Sequence, residues 1–405
     1  MPDRSQVRFL DRTTPPHIFT LIAIAGLSAL VMNIFLPSLP KMTVYFQTDY
    51  RLMQLSVALY LGVNAVLQII VGPVSDRYGR RPVLLWGAAL FFLATIGCLL
   101  ARSFEVFLFW RMAQAIIVTS MVLSRAIVRD IVPQAEAASM IGYVTMGMAV
   151  VPMIGPAIGG VLDVTFGWQS NFWLLALLGL LGFALIWADC GETAANRSSS
   201  FKAQFAEYPE LLSSRRFWGY CASAAFASGA FFAYLGGAPF VGSEVFELSP
   251  QHLGYFLGAP AVGYMVGNFF SGRYSIRFGI NLMILWGAIL SSAGMAISLL
   301  IFELGYGTIW SFFGFMCFVG LGNGLVMPNA TAGMLSVRPH LAGTASGLGG
   351  AIMIGGGAAL SAFAGALLSD ETGAFPLLWI MLITSVLAIV AISYVIRREQ
   401  VIGAA

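Results

Sequence analysis

Charge is what this chain of 405 residues has least of: Asp, Glu, Lys and Arg make up 10% of it, while 59% is hydrophobic. A soluble domain carries roughly 25% charged residues, so most of this chain cannot face water. The net charge of +3 supplies no basic surface for nucleic acid. Histidine and cysteine are also scarce, at three and four residues. Cys98, Cys190, Cys221 and Cys317 stand singly in or beside apolar runs, as small apolar residues rather than disulfide or metal partners. With neither paired His ligands nor a Ser/His pair, the chain is not expected to be an enzyme or to need a cofactor or metal. A cleaved signal peptide is not expected either, because the polar N-terminal stretch runs into a full-length apolar segment with no small-residue cleavage site before it.

What is present is a succession of long apolar runs. A membrane-spanning helix needs about 20 largely apolar residues, and twelve stretches qualify: 18–40, 50–71, 82–101, 105–127, 137–162, 169–189, 217–240, 252–274, 281–302, 307–330, 341–367 and 374–396. Uncharged runs of this length satisfy their backbone in lipid only as helices. The expected fold is therefore an all-α polytopic membrane protein of twelve transmembrane helices. Seventeen of the 21 Lys and Arg residues lie in the two tails or in loops on one side, Arg77, Arg80, Arg81, Arg125, Arg129, Arg273 and Arg277 among them. Lys41, Arg51 and Arg102 fall on the other side, and Arg111 lies within a helix. That bias places both termini in the cytoplasm of a bacterial inner membrane.

An internal repeat divides the chain. Residues 72–90, GPVSDRYGRRPVLLWGAAL, and 272–290, GRYSIRFGINLMILWGAIL, match at nine of 19 positions at a constant offset of 200. Gly72/Gly272, Arg77/Arg277, Gly79/Gly279 and Trp86/Trp286 are among the matches, and Gln68/Asn268 share the offset. The halves read as parallel repeats, 1–190 and 217–405, pseudo-symmetric six-helix bundles joined by a cytoplasmic linker, 191–216. Phe201, Phe205, Tyr208 and Leu212 in the linker suit either a short surface helix or a plain tether. Repeats of this kind put a substrate site near the bilayer midplane, between the halves.

Three motifs carry chemistry. Gly72, Asp76, Arg77, Gly79, Arg80 and Arg81 form a tight turn with an acid at the membrane edge and arginines able to pair with it. Gly147, Pro152, Gly155, Pro156, Gly159 and Gly160 give the fifth helix a small-residue packing face with kinks. Arg111, followed by Gln114, puts a cation in an apolar run, either as a functional group or as a side chain reaching the nearby surface. The first motif resembles the signature of the major facilitator superfamily, the second its antiporter motif, and the third its helix-four coupling motif. With Asn33-Ile34-Phe35-Leu36-Pro37 and Tyr234-Leu235-Gly236-Gly237-Ala238-Pro239, the whole chain is similar to the drug:proton antiporters of the bicyclomycin and chloramphenicol/florfenicol resistance branch. That resemblance implies a gate latch at Asp76, proton coupling through Arg111 and Asp76, and the major facilitator fold. One departure stands out. Many members of the branch carry an aspartate where this chain has Asn33, which cannot hold a proton, and no Asp or Glu lies near the middle of any span.

The second helix carries Tyr60, Asn64 and Gln68 at four-residue steps, one polar face that fits a cavity wall or hydrogen bonding between helices. Together with Asn33, Arg111, Tyr143, Phe231, Tyr234, Tyr264 and Asn268, these are the expected substrate-binding residues. The expected function is secondary active efflux of small amphipathic drugs, phenicol- or bicyclomycin-like, by alternating access with proton coupling. Export of an endogenous metabolite or amino-acid-like compound is the alternative. Expected partners are the drug, protons and the lipid bilayer; nothing points to an obligatory oligomer, so a monomer is expected.

Overall fold

The computed structural model describes residues 7–131, 151, 154–194, 208–338, 342–369 and 371–403, and all regular structure in them is helical. In chain order the helices are α1 (Ile18–Tyr45), α2 (Tyr50–Tyr78), α3 (Arg80–Leu100) and α4 (Phe104–Gln114, continuing as Val118–Ile131). Then come α5 (Ile154–Phe166), α6 (Gln169–Asp189), α7 (Arg215–Val245) and α8 (Pro250–Leu257, continuing as Ala259–Phe278). The last four are α9 (Ile280–Glu303), α10 (Trp310–Val337), α11 (Ala342–Leu367) and α12 (Phe375–Gly403). Ten of these are long and apolar enough to cross a membrane. The other two are α5, described only in its later part, and α8, which carries Tyr264, Asn268, Arg273 and Arg277.

Local signals set the boundaries. Ser103, Ser214 and Ser249 cap α4, α7 and α8, each hydroxyl accepting from a backbone N–H of the first turn. Gly79 and Gly279 end α2 and α8 at φ of 101° and 81°, a left-handed backbone that a residue with a Cβ rarely adopts. The repeat in the sequence is thus a repeated turn. Several helices run past their expected ends, α1 to Tyr45, α7 to Val245 and α12 to Gly403, because the last turns leave the apolar layer and tolerate Lys41, Glu244 and Arg397. In the linker, Tyr208–Leu212 is helical.

Packing repeats as the sequence does. Helix α1 packs on α4 and α6, α2 on α4, and α3 on α4 and α6; α7 packs on α10 and α12, α8 on α10, and α9 on α10 and α12. Each pairing in the first set maps onto the second by adding six. Large apolar side chains of the peripheral helices point outward, as Trp86 and Leu100 do on α3 and Trp286 and Leu300 on α9. This fits a lipid-facing rim, and the chain is a multi-pass membrane protein.

Helix contact is closest where side chains vanish. A Cβ at Gly263 or Gly267 on α8 would overlap backbone carbonyls of Cys317 or Leu321, and one at Gly320 or Gly324 on α10 those of Pro260 or Tyr264. Both helices therefore present glycines four residues apart to each other. Among the described residues the buried core is one cluster across both halves at the face away from the termini, running from Leu27, Phe35 and Phe172 to Tyr234, Phe240 and Leu377. At the terminal face it divides into two, one around Leu21, Leu84 and Leu123, the other around Phe217, Ile284 and Val395.

Gly320→Ala forces α10 off the backbone of α8, where no rotamer relieves the overlap. It is expected to cost about 1–3 kcal/mol, read as a lower unfolding temperature of the purified protein in detergent, whereas Gly305→Ser in the α9–α10 connection, with open space around it but φ of 79°, should cost only local backbone strain.

Candidate functional site

Arg111 does not reach the surface. Its side chain is fully buried, with Nε donating to the Ser56 carbonyl at 3.3 Å, one terminal nitrogen to Gln114 Oε1 at 2.8 Å and the other to the Val31 carbonyl at 3.1 Å. The rings of Phe35 and Tyr60 lie against the guanidinium, 4.3 and 4.1 Å from its carbon. Gln114 in turn donates to Thr95 Oγ1 at 2.8 Å, and Thr95 to the Phe91 carbonyl. Arginine suits this place because a planar, weakly hydrated cation stacks on both faces while its edge finds carbonyls on α1 and α2. The result is a fixed positive charge that ties α1, α2, α3 and α4 together, with no carboxylate among its described contacts.

The other expected binding residues separate into packed and partly open ones. Asn33 is buried; its Nδ2 donates to the Ala29 carbonyl at 2.9 Å while Oδ1 is enclosed without a partner. Tyr234 is buried, its hydroxyl donating to the Phe256 carbonyl at 3.3 Å. On α2, Gln68 Nε2 donates to Asn64 Oδ1 at 2.8 Å, so two members of the polar face pair with each other, and Tyr60 turns its ring to Arg111. Gln68 also faces the second half, its Oε1 lying 3.1 Å from where a Cβ of Gly350 on α11 would stand. Phe231, Tyr264 and Asn268 are partly open, and Asn268 Nδ2 donates to the Tyr264 carbonyl at 2.8 Å. Tyr143, Gly147 and Pro152 lie outside the described residues. Gln68 thus makes a contact across the halves, Phe231, Tyr264 and Asn268 are partly open, and Asn33, Arg111 and Tyr234 are enclosed.

The halves meet at the face away from the termini. Gln54, a residue with no obvious sequence signal, is buried on α2 and donates from Nε2 to the Gly236 carbonyl on α7. Tyr50 stacks near Phe240 with ring centres 5.2 Å apart, and Arg51 Nε reaches the Leu368 carbonyl at 3.4 Å. Helix α5 makes the second contact with its glycines. A Cβ at Gly159 would overlap the Ile34 carbonyl on α1, and one at Gly155 would press on Leu30. One position along, a Cβ at Gly160 would overlap the Pro250 carbonyl on α8, and one at Gly254 that of Pro156. One stripe of the expected antiporter motif thus holds α5 to its own half and the adjacent stripe holds it to the other. The cross-half pairs α2–α11 and α5–α8 exchange under the same six-helix shift that relates the halves.

This architecture has known counterparts. A model of the Major Facilitator Superfamily matches residues 21–353 and 248–403. The chain belongs to the major facilitator superfamily. Superfamily members are transporters rather than enzymes, and so is this protein. A chloramphenicol resistance protein of Pseudomonas aeruginosa is 31% identical over 336 residues, 81% of this chain and 79% of that one. A bicyclomycin resistance protein homolog of Haemophilus influenzae is 25% identical over 96% of this chain and 98% of its own. These relatives agree with the drug:proton antiporter branch to which the motifs pointed. Among solved structures, the peptide transporter POT in complex with sulfate superposes with a TM-score of 0.77 at 13% identity, over 98% of this chain and 99% of that one, a likeness of fold.

The superfamily's signature turn is tied within the first half. Arg80, the first residue of α3, pairs with Asp76 at 2.5 Å and with Asp130 at the end of α4 at 3.0 Å. Its backbone N–H donates to Glu192 Oε1 at 2.9 Å, and a Cβ at Gly79 would strike that carboxylate. One arginine therefore gathers the ends of α2, α4 and α6 around the start of α3. Arg81 donates to the Trp187 carbonyl at 3.2 Å. In the second half the corresponding place is held differently: Glu399 on α12 accepts from Arg216 and Asn281 at 2.5 Å and from Tyr220 at 3.0 Å. Asp189 likewise receives the backbone N–H groups of Leu10 and His17 at 2.7 and 2.9 Å, anchoring the start of α1.

Arg111→Lys keeps the charge but loses the planar fork and the stack. It is expected to lower stability by about 1.5–3 kcal/mol, measured by thermal unfolding, with Gln114→Leu, which frees one arm of the same guanidinium, costing less.

Proposed function

We propose that this transporter exports small amphipathic drugs of the phenicol or bicyclomycin kind across the bacterial inner membrane by alternating access, with both termini in the cytoplasm. The observation that carries the reading is the divided core: one cluster joins the halves at the face away from the termini, and two separate clusters serve them at the terminal face. Two bodies so packed rock about their shared end, and here the path between them is closed on the outer side. The moving bodies are residues 1–190 and 217–405, with 191–216 as the tether. The names of the resistance relatives and the motif residues support export rather than uptake.

Gln68, Phe231, Tyr264 and Asn268 are the groups that meet the drug, with Asn64 beside Gln68; Tyr60, Tyr234 and Asn33 shape the wall behind. Arg111 sets the potential of the path rather than touching the drug in this state. A fixed buried cation and no midspan acid among the described residues favour neutral or zwitterionic substrates over strongly cationic ones. Proton coupling runs through Arg111 and the Asp76 network, since burial of an uncompensated cation makes its surroundings sensitive to any nearby charge change.

In an efflux-deficient host, expression is expected to raise resistance to phenicols or bicyclomycin, and an uncoupler to restore drug accumulation. Confirmed membrane expression with unchanged susceptibility across that panel sinks the drug reading and leaves an endogenous metabolite as cargo. Arg111→Ala is expected to abolish uncoupler-sensitive efflux. Asn33→Asp places a carboxylate in the buried wall beside Gly155 and is expected to shift preference toward lipophilic cations, scored as the ratio of cationic to neutral drug resistance.

A further inference from the structure

The closure at the face away from the termini is built twice, from the same two places in the repeat. At the offset of 200, Tyr50 and Gln54 on α2 correspond to Pro250 and Gly254 on α8. On α8 those positions meet α5 backbone to backbone: a Cβ at Gly254 would overlap the Pro156 carbonyl, and one at Gly160 that of Pro250. On α2 the same positions carry polar side chains, turned to α7 and α11 of the second half. Gln54 is 1% exposed and donates from Nε2 to the Gly236 carbonyl on α7. Its Oε1 fills the place that a Cβ of Gly365 on α11 would take, and has no hydrogen-bond partner. The Tyr50 ring packs near Phe240 on α7, and its hydroxyl is enclosed beside the Gln54 amide without a bond of good geometry.

We propose that Tyr50 and Gln54 form an underbonded catch that keeps the outer closure releasable. Closing the seam makes one amide bond and strips water from two oxygens that gain no partner in return. A net bond of this kind is worth about two- to tenfold in an equilibrium, whereas an enclosed oxygen without a partner costs about fivefold or more. The two oxygens therefore offset the bond and the ring contact with Phe240, and hold the closed and open states near balance. When the halves part, both oxygens meet water and the cost is recovered. Gly160 and Gly254 bring no side chain to the α5–α8 seam, so that seam follows and the α2 seam sets the balance. The sign is the reverse of ordinary packing: taking a polar group out of this seam tightens it. The inference rests on the rocking motion proposed above, and it requires no particular drug.

The test uses the full chain in lipid nanodiscs, on a background lacking the native cysteines. Spin labels go at Arg102→Cys and Tyr306→Cys, exposed positions in the α3–α4 and α9–α10 connections of the two halves. Pulsed electron resonance then reports closed and open populations at that face as short and long distances. Tyr50→Phe keeps the ring on Phe240 and removes the hydroxyl; it should raise the closed-to-open ratio by about fivefold or more. Gly365→Ala puts a methyl where the amide oxygen lies, breaks the bond to Gly236 and should lower the ratio by about threefold or more. In a Gln54→Ala background that methyl has room, so Gly365→Ala should then change the ratio little. A gain of closure in Tyr50→Phe cannot arise from failure to fold, and the double substitution separates the slot from a general weakening of α11. A lower or unchanged ratio in Tyr50→Phe, or a Gly365→Ala effect that persists undiminished without Gln54, overturns the proposal. Two populations that ignore every substitution overturn it and leave the rocking motion standing, whereas a single distance in every protein sinks both.

Discussion

The structure depends on one constraint: in lipid, a backbone must satisfy its own hydrogen bonds. That condition turns each apolar run into a helix and removes hydrophobic attraction as the force between helices, leaving close packing to supply it. The glycines of α8 and α10 follow directly, since each places backbone against backbone. The same device serves two purposes in α5. Gly155 and Gly159 set it against α1, and Gly160, one position around the helix, meets Pro250 across the halves. A contact without interlocking side chains separates without the cost of repacking them, which suits a gate better than a core.

Polar groups are distributed to match. At the terminal face, two groups of ion pairs lie within a half: Arg80 with Asp76 and Asp130, Arg216 with Glu399. Each half is thus stapled as a rigid body where its core is small and separate. At the other face the halves share one core and are joined by Gln54 and by glycine contacts, with the Lys41–Asp163 pair set just behind them. Rigid ends on one side and a releasable seam on the other are what rocking requires, because motion of each half as a unit keeps its internal bonds intact.

Much of this was legible in the sequence. The apolar runs gave the helices, and the 200-residue offset gave a repeat that the packing reproduces pair by pair. Gly79 and Gly279 were readable as turns because positive φ demands glycine. Arg111 was readable as unusual, but its two possible destinations were not separable, since the carbonyls of Val31 and Ser56 that hold it come from other helices and leave no mark in the local sequence. Asn33 and Tyr234 looked like cavity residues by type, and only packing reveals them as enclosed. Gln54 and Asp163 carry no local signal for a related reason. Each sits near a helix end, where a polar residue is ordinary, and becomes informative only when a neighbouring helix buries it.

The buried arginine also bears on what the asparagine at position 33 does to the interior of the first half. A cation held by carbonyls and aromatic faces is at fixed distance from α1, α2 and α4, so its field acts on the whole interior of the first half without needing a partner of its own. An aspartate at position 33 would stand on the helix that lends Arg111 the Val31 carbonyl and would neutralise part of that field. With asparagine there, the field is not cancelled from within α1. Among the described residues the two enclosed carboxylates lie toward opposite faces, Asp163 at the seam and Asp189 at the root of α1. Asp189 is saturated by two backbone donors, whereas Asp163 keeps an oxygen open. The root of α1 is thus held by a fully used acid, while the seam keeps an acceptor unmatched, so the two faces differ in how tightly their polar groups bind neighbouring helices.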